Sequence, residues 1–279
     1  GTPTSAAAEP ITRAAGIPFI APFTGAEFLR DPALTNVVNI RASYFEETET
    51  IVEHLVRDAG VRRVAVLYQD DSYGRTGLAG VKAALARRGM APVSAGTYLR
   101  NTTAVKTALL SIKSANPDAI IIIGAYQPSA VFTQWARKLG LGAVIANISF
   151  VGANALAAAT GPVGGGVYVS QVVPFPEGDA MPLLGQYRAA LAALEPDAKP
   201  GFVSLEGYIA GRLTIEVLRR LGPEPTREAF LAKLAQVGTF DIGGFILRYA
   251  PGDNRGSNQV FLTRIRSDGT VEPAEEMTR

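Results

Sequence analysis

Pro117-Asp118-Ala119-Ile120-Ile121-Ile122-Ile123-Gly124 carries four consecutive isoleucines between a proline and a glycine, with no polar residue alternating among them. A strand with one wet face alternates apolar and polar side chains, whereas a strand covered on both faces reads as one apolar run. The stretch therefore predicts a buried strand of a parallel sheet, which needs helices over both faces. The chain supplies them on either side. Upstream, Ile51, Val52, Leu55 and Val56 give a helix over 48–59 that Gly60 ends, ahead of a strand over 63–68. The pattern repeats as helix 77–88, strand 93–98 and helix 104–115. Downstream, helices are expected over 128–139, 180–194 and 205–221, with strands over 144–150 and 166–173. At the start, a helix over 6–15, started or kinked by Pro10 and closed by Gly16, precedes a strand over 18–23. The βα order breaks only near the end. There 243–249 and 259–266 read as an antiparallel strand pair finishing one lobe, with Ser267-Asp268-Gly269 as a hairpin-type turn.

A chain of 279 residues accommodates two lobes, each with its own core. Turn-forming stretches at 173–178 and 251–254, and a third around 41–45, suggest three crossings between interleaved lobes. The expected division is 1–43 with 175–253, and 44–174 with 254–279. Hydrophobic residues make up 47% and charged residues 19%, a composition that folds. Lys and Arg number 27 against 25 Asp and Glu, and a net charge of +2 without a basic stripe implies neither nucleic acid nor an anionic membrane surface as partner. The absence of cysteine excludes disulfides, thiolate metal sites and cysteine nucleophiles, and it suits an oxidising compartment. No apolar run reaches membrane-spanning length, and the first residues have neither a charged nor an apolar signal region, so any signal peptide lies outside this chain.

Enzyme signatures are missing. There is no phosphate-loop, nucleophile-elbow or zinc-helix motif, and Gly164-Gly165-Gly166 precedes a strand where a phosphate loop would follow one. His54, the only histidine, sits in an amphipathic helix and reads as a surface or boundary residue. The acidic pairs Glu46-Glu47 and Asp70-Asp71 read as solvated turns or helix N-termini. The expectation is a chain with no catalytic residue, no metal and no cofactor.

Polar residues at the carboxyl ends of the expected strands are the alternative, because open parallel sheets bind ligands there. Thr2, Thr4 and Ser5 precede the first helix, where hydroxyls and free N–H groups suit either a carboxylate or ordinary N-capping. Phe23-Thr24-Gly25 follows the first strand and adds a hydroxyl beside a backbone that can approach a ligand closely. Tyr73, after Asp70-Asp71-Ser72, places a ring with a polar tip at a loop-to-helix junction, as a ligand platform or a half-exposed structural tyrosine. Tyr126 follows the isoleucine strand, and Ser149 and Phe150 close the next one. Such a mixture of apolar surface and a few polar groups is what small-molecule sites require.

In order and spacing, the motifs Gly1-Thr2-Pro3-Thr4-Ser5, Pro22-Phe23-Thr24-Gly25-Ala26 with Leu29-Arg30, Arg41-Ala42-Ser43-Tyr44, Asp70-Asp71-Ser72-Tyr73-Gly74, Gly124-Ala125-Tyr126 and Ser204-Leu205-Glu206-Gly207-Tyr208 resemble the type I periplasmic binding proteins. The resemblance is to the branched-chain amino acid (Leu/Ile/Val) class serving ABC importers. It implies two Rossmann-like lobes with parallel sheets joined by a three-segment hinge, and an exported, periplasmic or extracellular protein. It also implies a small-molecule solute bound in the interlobe cleft by hinge closure and passed to an ABC permease. By the same resemblance Thr2 and its neighbours, with the backbone around Thr24, form a carboxylate clamp, Tyr73 packs on the ligand from the other lobe, and Tyr208 lies near the cleft or in a helix-buried role. Two departures matter. Ser149 stands where members that bind α-amino acids carry an acid for the ammonium group, which widens the solute to an amino acid, carboxylate or amide unless Glu206 or Asp71 supplies the ion pair. The two βα units and the strand expected before Gly1 are also missing, so the first lobe is expected to be incomplete. The same fold serves ligand-sensing receptors and regulators, which is the alternative reading.

Overall fold

The isoleucine run lies in the interior of a seven-stranded sheet, with every residue of the strand buried. A computed structural model describes residues 1–279. The chain starts with α1 (Thr2–Ala14), β1 (Phe19–Ile20), β2 (Val37–Val38), α2 (Tyr44–Arg57), β3 (Val64–Gln69), α3 (Ser72–Ala86) and β4 (Ser94–Tyr98). It continues through α4 (Lys106–Ser114), β5 (Ala119–Ile123), α5 (Tyr126–Lys138), β6 (Val144–Asn147), α6 (Ala153–Thr160) and β7 (Tyr168–Gln171). It ends with α7 (Pro182–Leu194), α8 (Phe202–Arg219), α9 (Arg227–Val237), β8 (Thr239–Ile242), β9 (Phe245–Arg248), β10 (Phe261–Ile265) and β11 (Val271–Pro273). These elements form two units, Gly1–Ala42 with Val173–Gln259, and Ser43–Val172 with Val260–Arg279. The third crossing thus falls after Gln259, where 253 was expected.

The second unit holds the large sheet in the order β11-β10-β7-β6-β5-β3-β4. Strands β3 to β7 run parallel, and β10 joins β7 antiparallel. Helices cover both faces. On one face Ile123 meets Gly77 of α3, where a Cβ would lie 2.5 Å from the Ile123 Cγ2. The register pairs Leu67 with both Gly96 and Ile122, one residue along from Ile123, so Gly96 points to the opposite face. There it lies against Ala108 of α4. From β3 the chain steps outward to the edge strand β4, then returns to β5 on the other side, so the strand order reverses between β3 and β5. That reversal makes the carboxyl ends of β3 and β5 the crevice where such sheets take ligands.

The first unit contains the parallel pair β1–β2, the hairpin β8–β9 and helices α1, α7, α8 and α9. A Schellman turn ends α1: Ile17 N–H reaches the Thr12 carbonyl at 2.8 Å and Gly16 N–H the Arg13 carbonyl at 3.1 Å, with Gly16 at φ +62°. Leu29, Leu34 and Val37, with Phe19 against them, form a small apolar core.

The expected pairing of 243–249 with 259–266 does not occur. Gly243 and Gly244 both have positive φ (+68° and +96°), and together they make the two-residue turn that joins β9 to β8. Strand β10 instead extends the sheet of the other unit by pairing with β7. A Gly-Gly pair between two short β-prone runs was the signal, and counting Gly243 into the strand hid it. Helix α9 carries a legible cap, the Thr226 hydroxyl accepting from Ala229 N–H at 3.1 Å.

Gly77→Ala is expected to destabilise the protein by about 1–3 kcal/mol in chemical denaturation, because the added methyl enters the space of Ile123. Placing Ile123→Ala in the same chain should leave the double variant less destabilised than the two costs added together.

Candidate functional site

In the first unit, Thr2, Thr4 and Ser5 form the first turn of α1, with Gly1 as its N-cap, and so do not precede the helix as expected. Thr2 and Ser5 are buried, while Thr4 is exposed and its hydroxyl donates to the Gly1 carbonyl at 2.8 Å. The Thr2 and Thr24 hydroxyls meet at 2.7 Å, and Thr24 Oγ1 accepts from Ala26 N–H at 3.2 Å. The helix start and the loop after β1 are therefore one polar cluster. Gly25 is buried beside it.

Two buried arginines organise the surroundings. Arg30 donates to the carbonyls of Thr24 at 3.4 Å, Ala26 at 2.8 Å, Arg41 at 3.1 Å and Ala42 at 3.4 Å, tying the Thr24 loop to the 41–42 segment. The Arg41 guanidinium lies 5.0 Å from the Phe23 ring centroid and 3.4 Å from Glu206 Oε1. A buried charge requires such partners, since losing one would strand the other. Tyr208, two residues further along α8, points to a different face. It packs on Tyr187 with ring centroids 5.7 Å apart and accepts from Arg212 Nη1 at 3.0 Å. The structure brings Thr2, Thr24, Phe23 and Glu206 together with Arg41, and leaves Tyr208 with α7 and its own helix.

In the second unit, Asp71 N-caps α3 by accepting from Gly74 N–H at 3.1 Å, which fixes Tyr73 in the first turn. Only glycine fits at 74, where a Cβ would lie 1.8 Å from the Gln69 carbonyl oxygen. Tyr73 is 1% exposed. Its ring lies edge-on to Tyr44 at 5.4 Å and against Phe150 at 4.6 Å between centroids. Ser149 and Phe150 lie in a 3-10 turn, because β6 stops at Asn147, short of the expected strand end. Tyr126 opens α5 and is 40% exposed.

Ser149 also reveals a residue that sequence reasoning missed. Glu47 is fully buried on α2, and its carboxylate accepts from the Ser149 N–H at 2.8 Å, the Ser149 hydroxyl at 3.0 Å and the Ser170 hydroxyl at 2.6 Å. Read as half of a solvated pair, Glu47 is instead turned inward. The signal was its spacing, four residues before Ile51 on the apolar stripe. Glu46 alone does the capping, its carboxylate accepting from Ser43 N–H at 2.6 Å while the Ser43 hydroxyl accepts from Glu46 N–H at 3.2 Å. Arg41 was equally visible, a charge inside the run Val38-Asn39-Ile40-Arg41-Ala42. His54 is held by Asp58 at 2.7 Å on the same helix.

A family model described as periplasmic binding protein matches residues 1–270. The chain belongs to the periplasmic binding protein family. Among solved structures, a possible leucine/isoleucine/valine-binding protein from Rhodopirellula baltica is 35% identical with a TM-score of 0.93, over 100% of this chain and 77% of that one. A branched chain amino acid ABC transporter protein from Thermus thermophilus with bound valine has the same fold, with a TM-score of 0.85 at 17% identity over 100% of this chain and 77% of that one. Leu/Ile/Val-binding protein homolog 7 of Brucella abortus is 28% identical over 142 residues, so the match spans 48% of this chain and only 36% of that curated relative's length. These relatives are solute-binding proteins. No helix of this chain is long and apolar enough to cross a membrane.

Ser170→Ala removes the 2.6 Å bond to the buried Glu47 carboxylate, and the expected cost is about 1.5–3 kcal/mol in chemical denaturation. A loss under about 0.5 kcal/mol would mean that Glu47 does not depend on this donor.

Proposed function

We propose that this member of the family is the solute-binding component of an ABC importer, exported to the periplasm or cell exterior, and that its solute belongs to the branched-chain amino acid class. The observation carrying this reading is the Glu47 carboxylate held beside Ser149. Ser149 has no charge of its own, but its N–H and hydroxyl hold the Glu47 carboxylate, which supports a reading in which Glu47 takes the solute's ammonium group. Thr2 and Thr24 supply hydroxyls, and the start of α1 supplies N–H groups, for the solute's carboxylate. Phe150 and Tyr126 give apolar surface at the carboxyl ends of β6 and β5, with Tyr73 packed against Phe150 after β3. Solute binding closes the two units about their three crossings, and opening releases the solute to a permease.

Calorimetry and thermal unfolding with L-leucine, L-valine, L-phenylalanine, leucinamide and 4-methylpentanoate test the reading. A solute at about 100 times its Kd should stabilise the protein by about 2.7 kcal/mol. The amino acids are expected to do so and 4-methylpentanoate, which lacks the amine, is not. Glu47→Gln should weaken L-leucine binding at least tenfold, the loss of one charged hydrogen bond. No response to any of the five compounds would overturn the ligand class, and equal binding of leucine and 4-methylpentanoate would remove Glu47 from it. Tyr73 is best probed as Tyr73→Phe, because truncating so buried a ring to alanine costs about 3–5 kcal/mol of stability by itself.

A further inference from the structure

One peptide group of the second unit is held from both sides. The bond joining Gly124 to Ala125 ends β5 and opens α5. Its carbonyl oxygen accepts from the Tyr73 hydroxyl at 3.4 Å, and its N–H donates to the Tyr98 hydroxyl oxygen at 3.0 Å. Tyr98, the last residue of β4, donates in turn to Gln69 Oε1 at 3.2 Å. Gln69 Nε2 donates to Asp71 Oδ2 at 2.6 Å, and the other oxygen of Asp71 caps the helix that carries Tyr73. The bonds therefore form a closed ring, running from α3 across the Gly124–Ala125 peptide to β4, β3 and back to α3.

The ring straddles the place where the strand order reverses, and its members are fitted to it. Tyr98 is 2% exposed, and burial pushes its phenol up to about 12, so the hydroxyl stays neutral and can both accept and donate at any physiological pH. At Gly124 a Cβ would lie 2.9 Å from the Tyr98 hydroxyl oxygen and 3.0 Å from the Ser129 hydroxyl oxygen, so a larger residue would push the tyrosine out of the ring. Tyr98 reaches the candidate ligand side chains through the Gly124–Ala125 peptide, which Tyr73 also bonds and which Tyr126 follows.

We infer that Tyr98 is a positioning residue, whose hydroxyl locks the Gly124–Ala125 peptide to the α3 cap and so sets Tyr73 and Tyr126 as one body before solute arrives. Ordering these groups in advance lowers the cost of binding. The consequence for affinity rests on the solute site proposed above; the coupling around the ring does not.

Tyr98→Phe in the full chain keeps the ring packing and removes the oxygen, leaving Ala125 N–H and Gln69 Oε1 without their partner. Without any solute, NMR hydrogen exchange should show the Ala125 and Gly74 amides both at least tenfold faster, with the amides of β6 unchanged. An unchanged Gly74 amide would mean that the ring transmits nothing, and would overturn the inference. With L-leucine as probe, calorimetry should give a Kd raised on the order of tenfold. Tyr73→Phe should also cost less in the Tyr98→Phe background than in the parent, and strictly additive costs would count against coupling. If the parent binds no L-leucine, the solute reading fails and the exchange result alone decides the role of Tyr98. Should Tyr98→Phe not fold, Gln69→Leu opens the ring at the next link and must produce the same paired change at Ala125 and Gly74.

Discussion

Four isoleucines in succession can be dry on both faces only if helices press on the strand from either side, and that requirement shapes the whole second unit. Each buried isoleucine contributes about 1.5–3 kcal/mol relative to exposure, provided the covering helices come close enough to exclude water. Close approach is achieved by removing side chains from the helices and strands that face the core. Gly77 admits Ile123, and Gly96 lies against Ala108 of the helix on the opposite face. The strand thus determines where α3 and α4 lie, and α3 in turn determines where Tyr73 lies. The place of Tyr73 is fixed at a distance, by hydrophobic packing.

A packed sheet leaves its polar business to the strand ends, where main-chain groups come free of the ladder. Here those groups are not left to water. The carboxylate of Glu47, the Gly124–Ala125 peptide and the α3 cap are each bound by neutral donors and acceptors of fixed geometry. Such an arrangement has a cost, because each buried polar atom must find its partner or lose a kcal/mol or more. It suits recognition, in which a small molecule replaces water against preset dipoles.

The legibility of the fold followed the physics of each segment. The strand β5, buried on both faces, was readable because a short β-branched run without polar alternation, bounded by Pro117 and Gly124, fits a covered strand. The C-terminal strands were misread because their partners are decided by topology: β10 pairs with β7, some 90 residues earlier, at positions such as Leu262 and Ser170, and no local pattern encodes that choice. The Gly243-Gly244 turn was local and readable, but the glycines were absorbed into the strand they terminate. At the candidate site, residues at strand ends were legible from type and place: Thr24, Tyr73, Tyr126 and Ser149 all lie close to the ends of β1, β3, β5 and β6. Glu47 and Arg41 carried a signal, a charge within an apolar stripe or run, but their roles were not readable, since the partners that hold them lie more than a hundred residues away at Ser149 and Glu206.

That distance is itself informative about how such a site is specified. Ser170 is unremarkable as sequence, and Ser149 was readable only as a polar group at a strand end. What gives them a role is that β6 and β7 are neighbours in a parallel sheet, so their carboxyl ends lie side by side and present two hydroxyls and an N–H to one point. Helix α2, started by its capping box at Ser43, delivers Glu47 to that point one residue after the capping glutamate. The neighbouring acids Glu46 and Glu47 therefore do opposite work, one satisfying the helix end and the other carrying charge inward. Helical geometry separates them by about 100°, and that angle alone makes one a cap and the other a buried carboxylate.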